Sequence, residues 1–270
     1  MPNRAEIWQA RTVFADFQLG RSLEPEHHGA HSDVVHAAIR NGQPVVVKQI
    51  RPPFPLRDPA RDEAVKLMDL VRTVSTPHAL PVIDHGIDPD GYPFYAMDFA
   101  FGTPVAALER TYSATETFKL LCDVVAAVEV FTHAGITTDL HPRHVMLHSG
   151  GARIWNVGIA AWSRAAYELV GPQVTRAGVL LWHGNLTPYE AMGRPWTPAN
   201  TCAQLALLAF NLLAGRWYWQ GDLQRESSMA HLADVFQNQG PPPSGRSRAP
   251  LPEGFDAWFA QCLTGGIPHV

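Results

Sequence analysis

Residues 137–147 read TTDLHPRHVML, and the rest of the chain is best understood outward from them. Asp139 and Pro142 are turn formers, and Val145, Met146 and Leu147 make a short apolar run of the kind that enters a strand. An aspartate in such a loop is either a turn residue or a group placed for proton chemistry. Just upstream, SATETFKLLCDVVAAVEVFTHAG (113–135) opens with the capping box Ser113-x-x-Glu116 and stops at Gly135. Its middle is apolar nearly all round, which predicts a buried helix. Thr201 to Gly215 predicts a second helix of the same kind, and EGFDAWFAQCL (253–263) a shorter amphipathic one.

The first hundred residues have a different character. DVVHAAI and QPVVVKQI flank the turn-forming Asn41-Gly42, and YPFYAMDFA follows a turn at Asp90-Gly91, which predicts hairpins of an antiparallel sheet. Between them DPARDEAVKLMDLVRTV predicts one amphipathic helix over about 58–74, with Asp58 as N-cap, Pro59 at the first helical position, and Ala64, Leu67, Met68 and Val71 inward. The expected fold class is α+β in two lobes. Residues 1–98 form a small antiparallel β lobe with one helix, 99–103 a hinge, and 104–270 a larger, mainly helical lobe. QGPPPSGRSRAP (239–250) is too rich in Pro, Gly, Ser and Arg to pack a core and predicts a surface loop.

Bulk properties narrow the function classes. The 270 residues can bury a proper core, and a formal charge of −4 gives no electrostatic reason to expect nucleic acid. Cys122, Cys202 and Cys262 are odd in number and far apart, so a disulfide framework or zinc knuckle is not expected and a reducing, cytoplasmic setting is. The opening MPNRAEIWQARTVFADF has no apolar stretch of signal-peptide length, and no stretch of the chain reads as a membrane span or direct membrane insertion.

Taken in order, these fragments resemble the eukaryotic-like protein kinase family, its bacterial Ser/Thr branch in particular, from about Phe17 to Leu263. VVVK ending at Lys48 is similar to the third-strand V-A-I-K, and EAVKLM from Glu63 to the helix whose glutamate pairs with that lysine. PFYAMDF places Met97 where the gatekeeper stands. DLHPRHVML resembles D-L-K-P-x-N-I-L, IWNVGIA resembles I-D-F-G-I-A, and TPYEAMGRP resembles A-P-E-Q-A-R-G.

The resemblance implies a nucleotide cleft lined by Lys48, Glu63, Gly29, Val34, Val46, Met97 and Met146. Its chemistry is depleted. Aligned on Val34, the phosphate-covering glycine loop becomes HHGAHSDV, with His27 and Ser32 at outer glycine positions and Gly29 kept, so a poor phosphate cradle is expected. Val46 replaces the small alanine over the adenine. Asp139 stands at the catalytic aspartate, but Thr137 and Thr138 replace the His-Arg pair before it, in a segment about one residue shorter, and no receptor for an activation-loop phosphate is expected. His144 and Asn156 stand at the two Mg²⁺ ligands, where a neutral imidazole and amide are poor substitutes for oxygen anions.

Other positions change in matched sets. Tyr189 stands at the A-P-E glutamate, whose arginine partner is expected to be lost with it, while Cys202 stands at the aspartate that in the family holds the catalytic loop. His141, His144 and His148 could with Asp139 suggest zinc, but their spacing is not that of a helical metal face and the reading of loop and surface histidines is preferred. The presumed activation segment, about 156–190, is rich in Trp, Tyr, Val and Leu and is expected to pack on its own lobe in preference to facing a partner.

The expected function is that of a pseudokinase, a kinase-fold signalling or scaffold protein with little or no phosphoryl transfer. Its expected partner is another protein, such as a kinase or a secretion or signalling component. The alternative is a divergent active Ser/Thr kinase, or another ATP-dependent transferase, using Asp139 and Lys48. Weak, metal-independent ATP binding without turnover is the intermediate case.

Overall fold

The computed structural model describes residues 12–14, 16–23, 34–52, 56–100, 102–107, 110–138, 140–159, 162, 166, 198–218 and 242–264. Two compact units divide the chain. The first comprises Met1–Phe101, His133–Thr137 and Val157–Trp182, the second Gly102–Thr132, Thr138–Asn156 and His183–Val270.

Unit 1 is built on a six-stranded antiparallel sheet. Its strands are β1 (Thr12–Phe14), β2 (Phe17–Ser22), β3 (Val34–Arg40), β4 (Gln43–Gln49), β5 (Val82–Ile87) and β6 (Pro93–Asp98), in the spatial order β1-β2-β3-β4-β6-β5. The Asn-Gly turn does what its chemistry predicts. Asn41 and Gly42 both take positive φ (51° and 76°) and close a two-residue loop between the opposed Arg40 and Gln43, matching the right-handed strand twist.

Both faces of the central strands are buried. On one face Phe17, Leu19, Ala38, Val45, Val47, Phe94 and Ala96 form a single apolar cluster, with the Phe17 and Phe94 rings edge-on at 5.9 Å. Each large side chain there stabilises the sheet by about 1.5–3 kcal/mol. Strand register puts Val35, Ala37, Val46, Lys48, Tyr95 and Met97 on the other face.

Helix α1 (Asp58–Thr73) forms where its pattern predicts. Its N-cap is Arg57 and not Asp58; Asp58 lies in the first turn and accepts from Arg61 at 2.9 Å. Early Pro59 sets the helical φ, and Ala60, Ala64, Met68 and Val71 make the buried stripe. Asp69 ties the helix to β5 through His85 Nε2 at 3.1 Å.

Unit 2 begins at Gly102, where a Cβ would stand 2.6 Å from the Leu147 carbonyl oxygen, so no larger residue fits against the strand beside it. Strands β7 (Thr103–Pro104), β8 (Val145–His148) and β9 (Gly151–Ile154) form a small antiparallel sheet. Helix α2 (Ala114–His133) starts at the expected capping box: Glu116 N–H donates to Ser113 Oγ at 3.2 Å, and Ser113 N–H to Glu116 Oε2 at 2.9 Å. Those Ser113 bonds, the backbone one foremost, hold the Glu116 carboxyl below the usual range. The helix is not buried all round, since Phe118 is 69% exposed and Val130 is exposed too; Thr117, Val124, Ala127, Val128 and Phe131 face inward. Asp123 Oδ2 accepts from Ala152 N–H at 2.9 Å and fixes the β8–β9 hairpin to α2.

Helix α3 (Pro198–Ala214) is the centre of this unit, buried from Ala203 onward along most of its length. Helix α5 (Phe255–Thr264) packs on it, with the Phe259 and Phe210 rings 6.2 Å apart. Of the proline-rich stretch, the described part is not a free loop. Pro243–Arg246 forms one helical turn, α4, in which Ser244 bonds Asp256 and Arg246 Nη1 donates to the Tyr218 carbonyl at 2.8 Å. The three cysteines are free, and no helix among the described residues is long and apolar enough to cross a membrane.

Candidate functional site

The expected site residues fall in both units. In unit 1, Lys48 is 2% exposed on β4, opposite Tyr95, and Val46 stands directly opposite Met97. Val34 is a correction. It pairs with Gln49 and so lies on the opposite face from Lys48, which shares its face with Val35. A strand alternates every residue, so a one-residue misalignment moves a side chain to the wrong side of the sheet. Counted back from Val35, the three glycine positions fall on His28, Ala30 and Asp33. Gly29, His27 and Ser32 lie outside the described residues.

Glu63 is a second correction. Its carboxylate does not pair with Lys48: Oε1 accepts from Lys66 Nζ at 2.7 Å, and the Glu63 side chain is 61% exposed. The helix presents Ala60, Ala64, Met68 and Val71 inward, and at 100° per residue Glu63 stands about a quarter turn away from that stripe. The Lys66 ammonium is raised above its ordinary value, mainly by the hydrogen bond to Glu63.

The start of the presumed activation segment belongs to the same unit. Val157, Gly158, Ile159, Trp162 and Ala166 are all buried. The Trp162 indole N–H donates to the Ala60 carbonyl at 2.7 Å, and Leu67 occupies the space over Gly158 that a Cβ would need. The later part, including Tyr189 and Glu190, lies outside the described residues.

In unit 2 the loop of residues 140–144 is held from below and capped from within. Gln204, fully buried on α3, accepts from Leu140 N–H at 3.1 Å through Oε1. Sequence comparison assigns that anchoring role to Cys202, but two residues along a helix is about 200° of rotation, the wrong face. Asp139 itself lies outside the described residues. His141 is 3% exposed, not a surface histidine. Its Nδ1 accepts from Arg143 N–H at 3.0 Å, capping the short turn Pro142–His144, so that nitrogen is the unprotonated one.

Four rings then follow in contact. Trp217 stands edge-on to His141 at 4.9 Å, His141 lies 5.4 Å from His144, and His144 stands edge-on to Trp155 at 5.2 Å. The Trp155 indole N–H donates to the Arg143 carbonyl at 3.0 Å. Asn156, 4% exposed and in the left-handed region at φ 63°, places its amide Nδ2 3.2 Å from His144 Nε2 and 3.4 Å from Nδ1.

The two residues at the expected metal-ligand positions therefore contact each other. A divalent ion of the Mg²⁺ kind needs oxygen donors with negative charge, and here an amide nitrogen stands against an imidazole. These two side chains, without an anionic oxygen between them, do not fit that ion. Among the described residues no three His, Cys, Asp or Glu side chains converge as a metal site, and His148 bonds Gly150 N–H in its own turn. Met146, half-buried on β8, faces Gly102.

No family model matches the chain. Among curated proteins it is 24% identical over 228 residues to a serine/threonine-protein kinase, PknA, of Corynebacterium glutamicum, covering 80% of this chain and 46% of that protein. It is 26% identical over 219 residues to the serine/threonine-protein kinase PksC of Streptomyces coelicolor, covering 77% and 37%. The chain thus spans less than half the length of these relatives. Among solved structures, a mutant PknI kinase domain of Mycobacterium tuberculosis aligns with a TM-score of 0.65 and 19% identity over 95% of this chain and 92% of that one. Another crystal structure of the PknI kinase domain aligns with a TM-score of 0.58 and 18% identity over 86% and 98%. The chain has the fold of a protein kinase domain, and its relatives in sequence are bacterial serine/threonine protein kinases of the eukaryotic-like kind.

Proposed function

We propose that this chain is a pseudokinase: a kinase-fold protein that acts by binding another protein, a kinase or a signalling or secretion component, with little or no phosphoryl transfer. One observation carries the reading. Asn156 and His144, at the two positions that would hold the metal of a metal–nucleotide complex, engage each other and supply no anionic oxygen. Phosphoryl transfer depends almost wholly on positioning and on neutralising phosphate charge, so this loss bears on the chemical step itself. The outward Glu63 and the missing glycines point the same way.

The test is a thermal-shift titration with ATP, with and without Mg²⁺ or Mn²⁺, on the natural chain and on His144→Asn/Asn156→Asp. The natural chain should show no metal-dependent shift, and the double variant should gain one. A shift without metal would make nucleotide a regulatory ligand of the binding protein. A shift of several degrees that needs metal in the natural chain, with phosphate transfer lost in Asp139→Asn, would overturn the proposal in favour of an active kinase.

A further inference from the structure

We propose that the cavity beside the start of α2 is a binding site for an organic cation, an ammonium or guanidinium group on a short apolar stem. The site lies within unit 2, goes beyond the pseudokinase reading and does not depend on it. Its volume is about 410 Å³, and three segments line it: residues 111–114 leading into α2, Leu213 near the end of α3, and residues 249–252. That is a size at which small ligands are held.

The polar groups left open around the cavity are mostly acceptors. The Tyr112 N–H donates to the Leu212 carbonyl at 2.9 Å, the Ser113 N–H to Glu116 Oε2 at 2.9 Å, and the Ala249 N–H to Ser247 Oγ at 3.2 Å. Pro250 and Pro252 have no N–H to offer. The carbonyls of Leu213, Pro250 and Leu251, by contrast, accept no bond from any described residue. A site whose donors are engaged and whose acceptors are open is matched by a ligand that donates, and ammonium and guanidinium groups are donors only.

Electrostatics select the same ligand. Leu213 lies in the last turn of α3, a helix of 17 residues, where the unpaired carbonyls carry the negative end of the helix dipole. The start of α2 would oppose this with its positive end, but Glu116 offsets it there, its carboxylate accepting from Ser113 N–H and from Ser113 Oγ at 2.7 Å. Tyr112 adds an aromatic ring, and the chain's own Arg110 shows what that ring attracts: its guanidinium lies 4.2 Å from the Tyr112 centroid. Arg110 itself is exposed and does not line the cavity. Leu213 and Leu251 supply apolar wall for the stem of the ligand.

The experiment titrates the isotope-labelled full chain with N-acetyl-arginine amide and with its neutral counterpart, N-acetyl-citrulline amide, following backbone amide signals by NMR. The arginine compound should shift the signals of Ala114, Leu213 and Leu251 saturably at millimolar concentration, and the citrulline compound should bind about tenfold more weakly. Glu116→Gln keeps the capping bonds, removes the charge and should weaken the arginine compound about threefold. Ala114→Phe fills the cavity from an exposed position and should abolish the shifts, with circular dichroism confirming that α2 still forms. A Gly-Gly-Arg-Gly-Gly peptide that binds as well as the amide makes the ligand a side chain of a partner protein; a peptide that is excluded makes it a free small cation. Equal binding of the citrulline compound, shifts that survive Ala114→Phe, or no saturable shift with either compound would overturn the site.

Discussion

Gln204 gives the sharpest test of how the loop of residues 140–144 is held. Its side chain is fully buried on α3, and its Oε1 accepts from the Leu140 backbone N–H at 3.1 Å, a contact between residues 64 apart in sequence. Gln204→Leu keeps the volume and removes the acceptor, so a buried N–H loses its bond with no water to replace it. Taking an acceptor from a buried donor costs about 1–3 kcal/mol. In a domain of this size each kcal/mol moves the melting temperature by about 2–4 °C, so a drop of roughly 4–8 °C is expected for a loss near 2 kcal/mol. Thermal unfolding followed by circular dichroism gives the number, and hydrogen exchange locates it. Faster exchange at Leu140 and His141, with the α2 amides unaffected, distinguishes loss of the anchor from general loosening. Cys202→Ser is the control and should move the melting temperature by under about 2 °C, because Cys202 is half-exposed and a surface change seldom exceeds about 0.5 kcal/mol. If Gln204→Leu melts like the natural chain while Cys202→Ser does not, the loop is anchored at Cys202 and the assignment to Gln204 is wrong.

Two further outcomes follow from titratable groups. Burial holds the His36 imidazole below its ordinary value, with backbone and side-chain bonds to Gly20 and Gln49 opposing and the Arg51 charge assisting. The folded chain prefers neutral His36, so this contribution is complete above about pH 6.5. It fades as pH falls through the lower folded value, and the stability lost between pH 7 and 5 in urea titrations should be smaller in His36→Gln than in the natural chain. Burial, helped by the nearby Cys202 thiol, pushes Cys262 up to about 12, whereas Cys122 is exposed. Iodoacetamide at pH 8 should therefore label Cys122 quickly, Cys202 slowly and Cys262 only on unfolding, as peptide mapping would show; equal rates for Cys122 and Cys262 would contradict the packing of α5 on α3.

The fold was legible wherever local chemistry allows one answer. Asn41-Gly42 can hardly be anything but a tight hairpin turn, and the Ser113/Glu116 box marks the start of α2 because its bonds are intrinsic to the sequence. What could not be read is rotation and register. A motif locates Glu63 on α1 but does not say how the helix is turned, because the faces it buries are chosen by contacts far away in sequence, such as the Trp162 indole bond to the Ala60 carbonyl. The same limit explains Val34 and Val35, adjacent in sequence and on opposite faces of the sheet, and Cys202 and Gln204, two positions apart and on opposite sides of α3. The exposed Phe118 was hidden by composition, since an apolar residue carries no mark of which way it points.

Because the central strands are buried on both sides, apolar alternation cannot tell β4 which way up to lie: Val45, Val46 and Val47 would suit either orientation. The asymmetry comes from the end of the strand, where Lys48 goes to one side and Gln49 to the other to meet Asp88 at 2.6 Å. Lys48 and Gln49 thus make the two sides of β4 different, and Lys48 is at the same time a candidate ligand residue. Replacing it by an apolar side chain removes one half of that asymmetry and leaves the Gln49–Asp88 bond as the other, so loss of binding in such a variant is to be read beside a check of the fold by circular dichroism.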